Sequence, residues 1–294
     1  MGVYCYADDL SLICPSFSGL TEMLNICDLY AKQYGILFNA KKSQLLLFDR
    51  KHREKDKVRP KLYMPNGELI PYVDECAHLG NIINTNNSSK VIEHAKKDIY
   101  IRTNVLLSDF SFTESSTLSV LFNTYCMNMY GSSLWKHYDN KMLDSFYTAW
   151  RKCIRRIWKI SNRTHTALLQ FIQKCNPIDV ILDKRCIKFI WKLMNSDYSM
   201  YRNIVNFSVC NSMTTMSENI RYFMFKYQFS YDDWSNSIIH IYKKIDAYVN
   251  KNVNLKDKCF AMVIRELCDS RDQCTTHIFE RRQIKSMLDN LCTK

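Results

Sequence analysis

The chain has 294 residues, 47% of them hydrophobic, with only 6 glycines and 5 prolines; this favours a packed, mainly helical fold of up to two domains and argues against a disordered chain. A formal net charge of +12 points to a polyanionic partner, nucleic acid ahead of an anionic membrane surface. The 13 cysteines are irregularly spaced, no secretory n-region and h-region precede them, and no stretch approaches the roughly 20 apolar residues of a membrane span, so reduced thiols in a nuclear or cytoplasmic, non-secreted protein with no membrane segment are expected.

The first predicted element is a β-hairpin, in which a short apolar approach leads into Tyr6-Ala7-Asp8-Asp9 and a second apolar run follows from Leu10 to Cys14. The acidic pair has two readings. Asp favours turns because its side chain bonds the neighbouring backbone. Paired carboxylates at a turn also suit Mg²⁺, a hard cation usually held by one or two carboxylates plus substrate phosphates. Ser18 to Gly35 predicts a helix, with Leu20, Leu24, Cys27 and Ala31 at three- or four-residue spacing and Gly35 as its stop. Phe38-Asn39-Ala40-Lys41-Lys42-Ser43 follows, then a polar, charge-rich stretch from Asp49 to Arg59 that reads as an exposed loop. Leu62 to Leu69 predicts a hairpin reversing at Pro65-Asn66-Gly67. His78-Leu79-Gly80 stands beyond it.

Taken in order, Tyr6-Ala7-Asp8-Asp9-Leu10, Phe38 to Ser43 and His78-Leu79-Gly80 resemble the reverse transcriptases of non-LTR (LINE-type) retrotransposons. The resemblance covers the C-terminal part of such an enzyme and implies an α+β fold. It places a truncated polymerase palm, a small antiparallel sheet with a helix, at residues 1–87. A helical thumb would occupy 88–160 and a helical C-terminal region of unknown role 161–294. It implies that Asp8 and Asp9 are catalytic and ligate Mg²⁺ (or Mn²⁺). Asn39, Lys42 and Ser43 match the family's Asn-x-x-Lys-(Ser/Thr) element ahead of a strand over Gln44 to Phe48, which puts Lys42 near the nucleoside triphosphate. A solvated strand-edge lysine is its plainer reading. Pro71 to Ile83, with Tyr72, looks like the primer-grip hairpin, and His78, Leu79 and Gly80 stand where the family usually has Tyr-Leu-Gly. A satisfied structural histidine is the plainer reading of His78.

The implied reaction is RNA-directed DNA synthesis: two-metal nucleotidyl transfer to a primer 3′-hydroxyl, with an RNA template, a DNA primer and deoxynucleoside triphosphates as partners. In the family a further carboxylate and the fingers lie upstream of the Tyr-Ala-Asp-Asp hairpin, whereas only Met1 to Cys5 precede it here. Catalysis of phosphoryl transfer is almost all positioning and electrostatics. The expectation is therefore a fragment inactive alone, partnered by a missing N-terminal polymerase segment. The alternative is a non-catalytic nucleic-acid binder of retrotransposon origin.

After Asn84-Thr85-Asn86-Asn87 the pattern turns helical. Ser88 or Ser89 is placed to cap a helix that buries Val91, Ile92, Ala95, Ile99 and Leu106 and leaves Lys90, Lys96 and Lys97 outside. A second helix is predicted from about Thr113 to Leu134, and Tyr130-Gly131-Ser132-Ser133-Leu134-Trp135 looks like an element common in the family; Trp135 fits core burial or a nucleic-acid contact equally. A third is predicted from about Asn140 to Ile160. At roughly 100° per residue, Arg151, Lys152, Arg155, Arg156 and Lys159 fall within an arc of about 140°. Phe146, Tyr147, Trp150, Ile154, Ile157 and Trp158 lie opposite. The basic arc suits the phosphates of a template–primer duplex, or is the solvated face of an amphipathic helix.

Beyond Ser161, Ile178 to Met194 predicts an amphipathic helix through Ile181, Leu182, Ile187, Ile190 and Trp191. The aromatics of Tyr222 to Phe229 read as core. Among Cys259, Cys268, Cys274, His277 and Cys292 only Cys274 and His277 have zinc-ligand spacing, so no zinc site is expected. Asp232-Asp233 lacks the strand-turn-strand setting of Asp8-Asp9 and reads as a helix-terminus or loop feature.

Overall fold

Alternating and reversing segments at the N-terminus and helical periodicity thereafter produce two compact units, residues 1–87 and 88–294. A computed structural model describes residues 2–48, 60–85, 89–127, 129–211 and 214–269. Ser88, the loop over Asp49 to Arg59, and Cys274, His277 and Cys292 lie outside them. The fold is α+β and mostly helical, with two small antiparallel sheets of two strands each among the described residues.

In the first unit β1 (Gly2–Tyr6) pairs antiparallel with β2 (Asp9–Ile13), so that Tyr6 faces Asp9 and Tyr4 faces Ser11. Helix α1 (Phe17–Tyr34) starts where the Ser16 side chain accepts from the Gly19 N–H, which satisfies one of the orphan donors of a first turn. It ends at Gly35, whose φ of 66° is a left-handed conformation that glycine adopts without a Cβ clash. Its inward residues, with Ala40, Leu62, Met64, Ile70, Phe38 and Leu45, form a small core. Leu62 to Leu69 reverses as predicted: Met64 N–H donates to Glu68 O at 2.7 Å and Ile70 N–H to Leu62 O at 2.9 Å. The second sheet is β3 (Glu75–His78) and β4 (Asn81–Asn84). Leu79 and Gly80 turn between them at φ 47° and 75°, the two positive values of a type I′ reversal.

The expected strand over Gln44 to Phe48 shrinks to one parallel bridge, Leu45 to Tyr72. Leu45 N–H donates to Pro71 O and Val73 N–H to Leu45 O, each at 3.0 Å. Pro71 has no N–H to extend that ladder backwards.

The second unit begins with α2 (Ser89–Asp109), which buries Ile92, Ile99, Thr103 and Leu106. The predicted helix over Thr113 to Leu134 is shorter than expected: α3 (Ser115–Leu121) runs into a π-helical turn (Phe122–Cys126) and stops. The wide turn misaligns its carbonyls. Arg102 donates to Tyr125 O in that turn at 3.2 Å, and Gln173 donates to Ser119 O of α3 at 3.2 Å. Gly131, at φ 76°, then turns the chain into a single 3₁₀ turn (Ser132–Leu134). Helix α4 spans Asn140–Ile157, three residues short of expectation. Ile160 N–H donates to Arg155 O and Lys159 N–H to Arg156 O, while Lys159 takes φ 50°. This is a Schellman ending, with a lysine where glycine is usual.

Next come α5 (Thr166–Ile172), α6 (Ile178–Met194), α7 (Ser199–Cys210), α8 (Thr215–Tyr227), a 3₁₀ turn at Asp232–Ser235, α9 (Ile238–Lys251) and α10 (Leu255–Asp269). One core joins α2, α3 and α4 to α5 and α10 through Phe122, Phe146, Trp150, Ile154, Leu169 and Ala261. A second joins α6 to α9 around Ile187, Val205, Phe223, Trp234 and Ile241. Full burial of each such side chain is worth about 1.5–3 kcal/mol. The expected division at Ile160–Ser161 therefore falls inside one unit, because α5 and α10 complete the core that α4 begins. No described helix is long and apolar enough to cross a membrane.

Candidate functional site

The acidic pair sits at the tip of the first hairpin. Ala7 and Asp8 form a two-residue reversal, and Ala7 alone of the two has a positive φ, 52°. A positive value at the first central position only is the mark of a type II′ turn. Asp8 and Asp9 are both exposed. Residues directly opposite on an antiparallel pair, and residues two apart along a strand, share a face. Tyr4, Tyr6, Asp9 and Ser11 therefore line one side of the hairpin.

That side receives the second predicted motif. His78, the last residue of β3, places Nε2 3.2 Å from Ser11 Oγ, a hydrogen bond across 67 residues of sequence. His78 is thus positioned by a side-chain partner, two residues along β2 from Asp9. Leu79 and Gly80 form the adjoining turn and are exposed. In the third motif, Asn39 Oδ1 accepts from Lys42 N–H at 3.3 Å and Ser43 Oγ donates to Asn39 O at 3.0 Å. This compact turn holds Ala40 in the core and Lys42 in solvent. The spacing of Asn39, Lys42 and Ser43 thus has a local structural cause whatever Lys42 binds.

Two adjacent carboxylates have the hard oxygen chemistry that Mg²⁺ takes. Among the described residues, however, no group of three or more His, Cys, Asp or Glu side chains is arranged to hold a metal ion. Asp8 and Asp9 fit as a partial donor set.

Helix α4 corrects one member of the basic arc. Lys152, Arg156 and Lys159 are exposed and Arg151 is half-buried, but Arg155 is only 8% exposed. Its Nη2 donates to Thr164 O at 2.8 Å, because the Schellman turn folds the following loop back over it. Burial, and then the adjacent Arg151 charge, lower its pKa from the ordinary value. Arg156 stays at the surface, held by Asn104 Oδ1 at 2.7 Å. Trp135 is buried against Phe146, which decides between its two readings in favour of packing.

An extended polar cluster of the second unit carries no motif in the sequence. His137, Asp183, Asn219, Lys226 and Tyr227 interlock between the two cores of the second unit. Its one sequence signal is Asp183 on the apolar stripe of α6, in register with Cys186, Ile187 and Ile190; a carboxylate there demands buried partners. The Asp232-Asp233 pair resolves into a similar device. Asp233 accepts from Ser230 N–H and Oγ and from Lys244, and contacts His240, tying the 3₁₀ turn to α9.

No family model, no curated protein and no solved structure matches this chain.

Proposed function

We propose that this chain is part of an RNA-directed DNA polymerase, a reverse transcriptase of the non-LTR retrotransposon kind. Its first unit would be a partial palm and the helices from α2 to α4 a thumb. The observation that carries the reading is the hairpin tip: exposed Asp8 and Asp9 on a two-residue reversal, with His78 of the second hairpin hydrogen-bonded to Ser11 on the face of Asp9. Asp8 and Asp9 would hold Mg²⁺ (or Mn²⁺), which when bound supplies electrostatic stabilisation of nucleotidyl transfer to the primer 3′-hydroxyl. Lys42 would neutralise a triphosphate, and the His78-Leu79-Gly80 turn would brace the primer end. The protein would work in the nucleus or cytoplasm.

Two carboxylates do not complete such a site, so a further carboxylate has to come from another polymerase segment. The outer edge of β1 supports this. Among the described residues β1 pairs with β2 alone, and Val3, Tyr4 and Tyr6 on it are exposed. An unpaired strand edge with apolar side chains is a template for another strand. Primer extension on an RNA template, with the chain alone and with a fingers–palm segment added, tests the reading. Extension only in the mixture, abolished by Asp8→Asn, is expected; absence of extension in the mixture overturns a catalytic role.

A second reading, a non-catalytic binder of duplex or structured RNA, is favoured by the exposed cations of α4. It predicts salt-dependent binding by a chain whose Asp8→Asn variant binds unchanged.

A further inference from the structure

Met129 to His137 pack Met129 and Trp135 into the first core of the second unit and are tied to α6 and α8 by a set of polar contacts. Arg185 donates to the carbonyls of Met127 at 2.8 Å and Met129 at 3.4 Å. Cys186 Sγ donates to Ser133 O at 3.3 Å. Asn219 donates to Trp135 O at 2.8 Å and accepts from His137 N–H at 2.8 Å. The His137 ring, 1% exposed, completes the attachment: Nδ1 lies 2.9 Å from Asp183 Oδ1 and Nε2 lies 2.9 Å from Ser132 O.

Donor and acceptor chemistry fixes the protons on that ring. A carbonyl oxygen only accepts, so Nε2 carries a hydrogen. Asp183 Oδ2 takes Lys226 Nζ at 2.8 Å and the Tyr227 hydroxyl at 2.7 Å. An ammonium and a hydroxyl both donating leave Oδ2 without a hydrogen, and although burial alone would raise the carboxyl's pKa, the His137 hydrogen bond and the Lys226 charge outweigh it and lower it, so Asp183 is ionised. An ionised Asp183 has no hydrogen to give, so Nδ1 carries one too. We infer that His137 is held as a doubly protonated imidazolium, an internal cation that fastens the Met129–His137 segment, and with it the start of α4, to α6 and α8.

Charge balance agrees. Lys226 also reaches Asp179 Oδ2 at 2.9 Å, so two cations face two carboxylates. The remaining titratable groups around the cluster are Tyr147 of α4, Cys186 of α6, and Tyr222 and Tyr227 of α8. Burial alone would discharge the ring, but the Asp183 hydrogen bond, the neighbouring Cys186 and the Asp183 charge outweigh it and raise its pKa to about 10. A pKa raised on folding stabilises fully below the ordinary histidine value and loses that stabilisation as pH climbs toward the raised one. The latch is therefore closed at neutral pH and weakens in alkali.

Nitrogen-15 NMR of histidine-labelled full-length protein at neutral pH tests this. The ring whose protons show through-space contact to Phe223, packed edge-on at 5.5 Å, should carry a directly bonded hydrogen on each nitrogen. One bare nitrogen on that ring overturns the inference. A second measurement follows the unfolding midpoint in urea from neutral to alkaline pH. It should fall in the native protein and more shallowly in His137→Gln; parallel falls overturn the latch.

Discussion

Arg155 and Arg156 are adjacent in sequence and both basic, yet α4 gives them opposite fates, and one experiment separates them. If the exposed face of α4 contacts duplex phosphates, Lys152→Gln with Arg156→Gln removes two contacts. Each contact contributes about 0.9 to the slope of log affinity against log salt on a B-form duplex, so the slope should fall by about 1.8, roughly tenfold in affinity across a fourfold salt range. Arg155→Gln should leave that slope unchanged, because its side chain is buried against Thr164 O. It should instead cost about 1–3 kcal/mol of stability by stranding that carbonyl. Fluorescence anisotropy of a labelled duplex, titrated with salt, reads the first effect, and urea denaturation of the same variants reads the second. An Arg155→Gln variant of native stability whose slope drops as far as that of Arg156→Gln would refute the burial argument. An unchanged slope in the double variant would refute the binding surface.

Asn219→Leu strands the His137 N–H and the Trp135 carbonyl together; a loss of about 2–5 kcal/mol in urea unfolding is expected, and a loss below 1 kcal/mol would show that the segment repacks. Burial alone would raise the Asp233 carboxyl, but the Lys244 ammonium, the Ser230 N–H and hydroxyl, and His240 outweigh it and hold it well below the usual carboxylate range. Its stabilisation is therefore present above the ordinary aspartate value and lost as pH falls; acid unfolding should be less steep in Asp233→Asn, and identical acid profiles would discount the cluster. Burial pushes the Cys175 thiol up to about 12, so alkylation at mildly alkaline pH should label the exposed Cys5, Cys210 and Cys259 well before Cys175, as peptide mapping would show.

Helices with a clear apolar stripe and a chemical stop were readable from local pattern. Ile178 to Met194 and the helix ended by Gly35 follow from 3.6-residue periodicity and a glycine that tolerates positive φ. The hairpin at Pro65-Asn66-Gly67 follows from turn chemistry. The misreadings have a different cause. The strand at Gln44 to Phe48 depended on what lay beside it, and Pro71 could not supply a ladder. The helix over Thr113 to Leu134 depended on the turn geometry around Tyr125, with Arg102 of another helix satisfying its carbonyl.

The order of the motifs around Asp8-Asp9, Lys42 and His78 is a property of sequence alone, because hairpin turns and the Asn39 turn are local. Their spatial relation is not: the His78–Ser11 hydrogen bond joins residues 67 apart, and no periodicity encodes it. The basic arc of α4 is likewise implied by a helical wheel, but whether a given guanidinium meets solvent depends on the loop that folds back after Lys159. His137, Asp183, Asn219 and Lys226 come together from a loop and two helices, across as many as 89 positions from His137 to Lys226. A sequence states which groups can ionise; only packing decides which of them must find partners away from water.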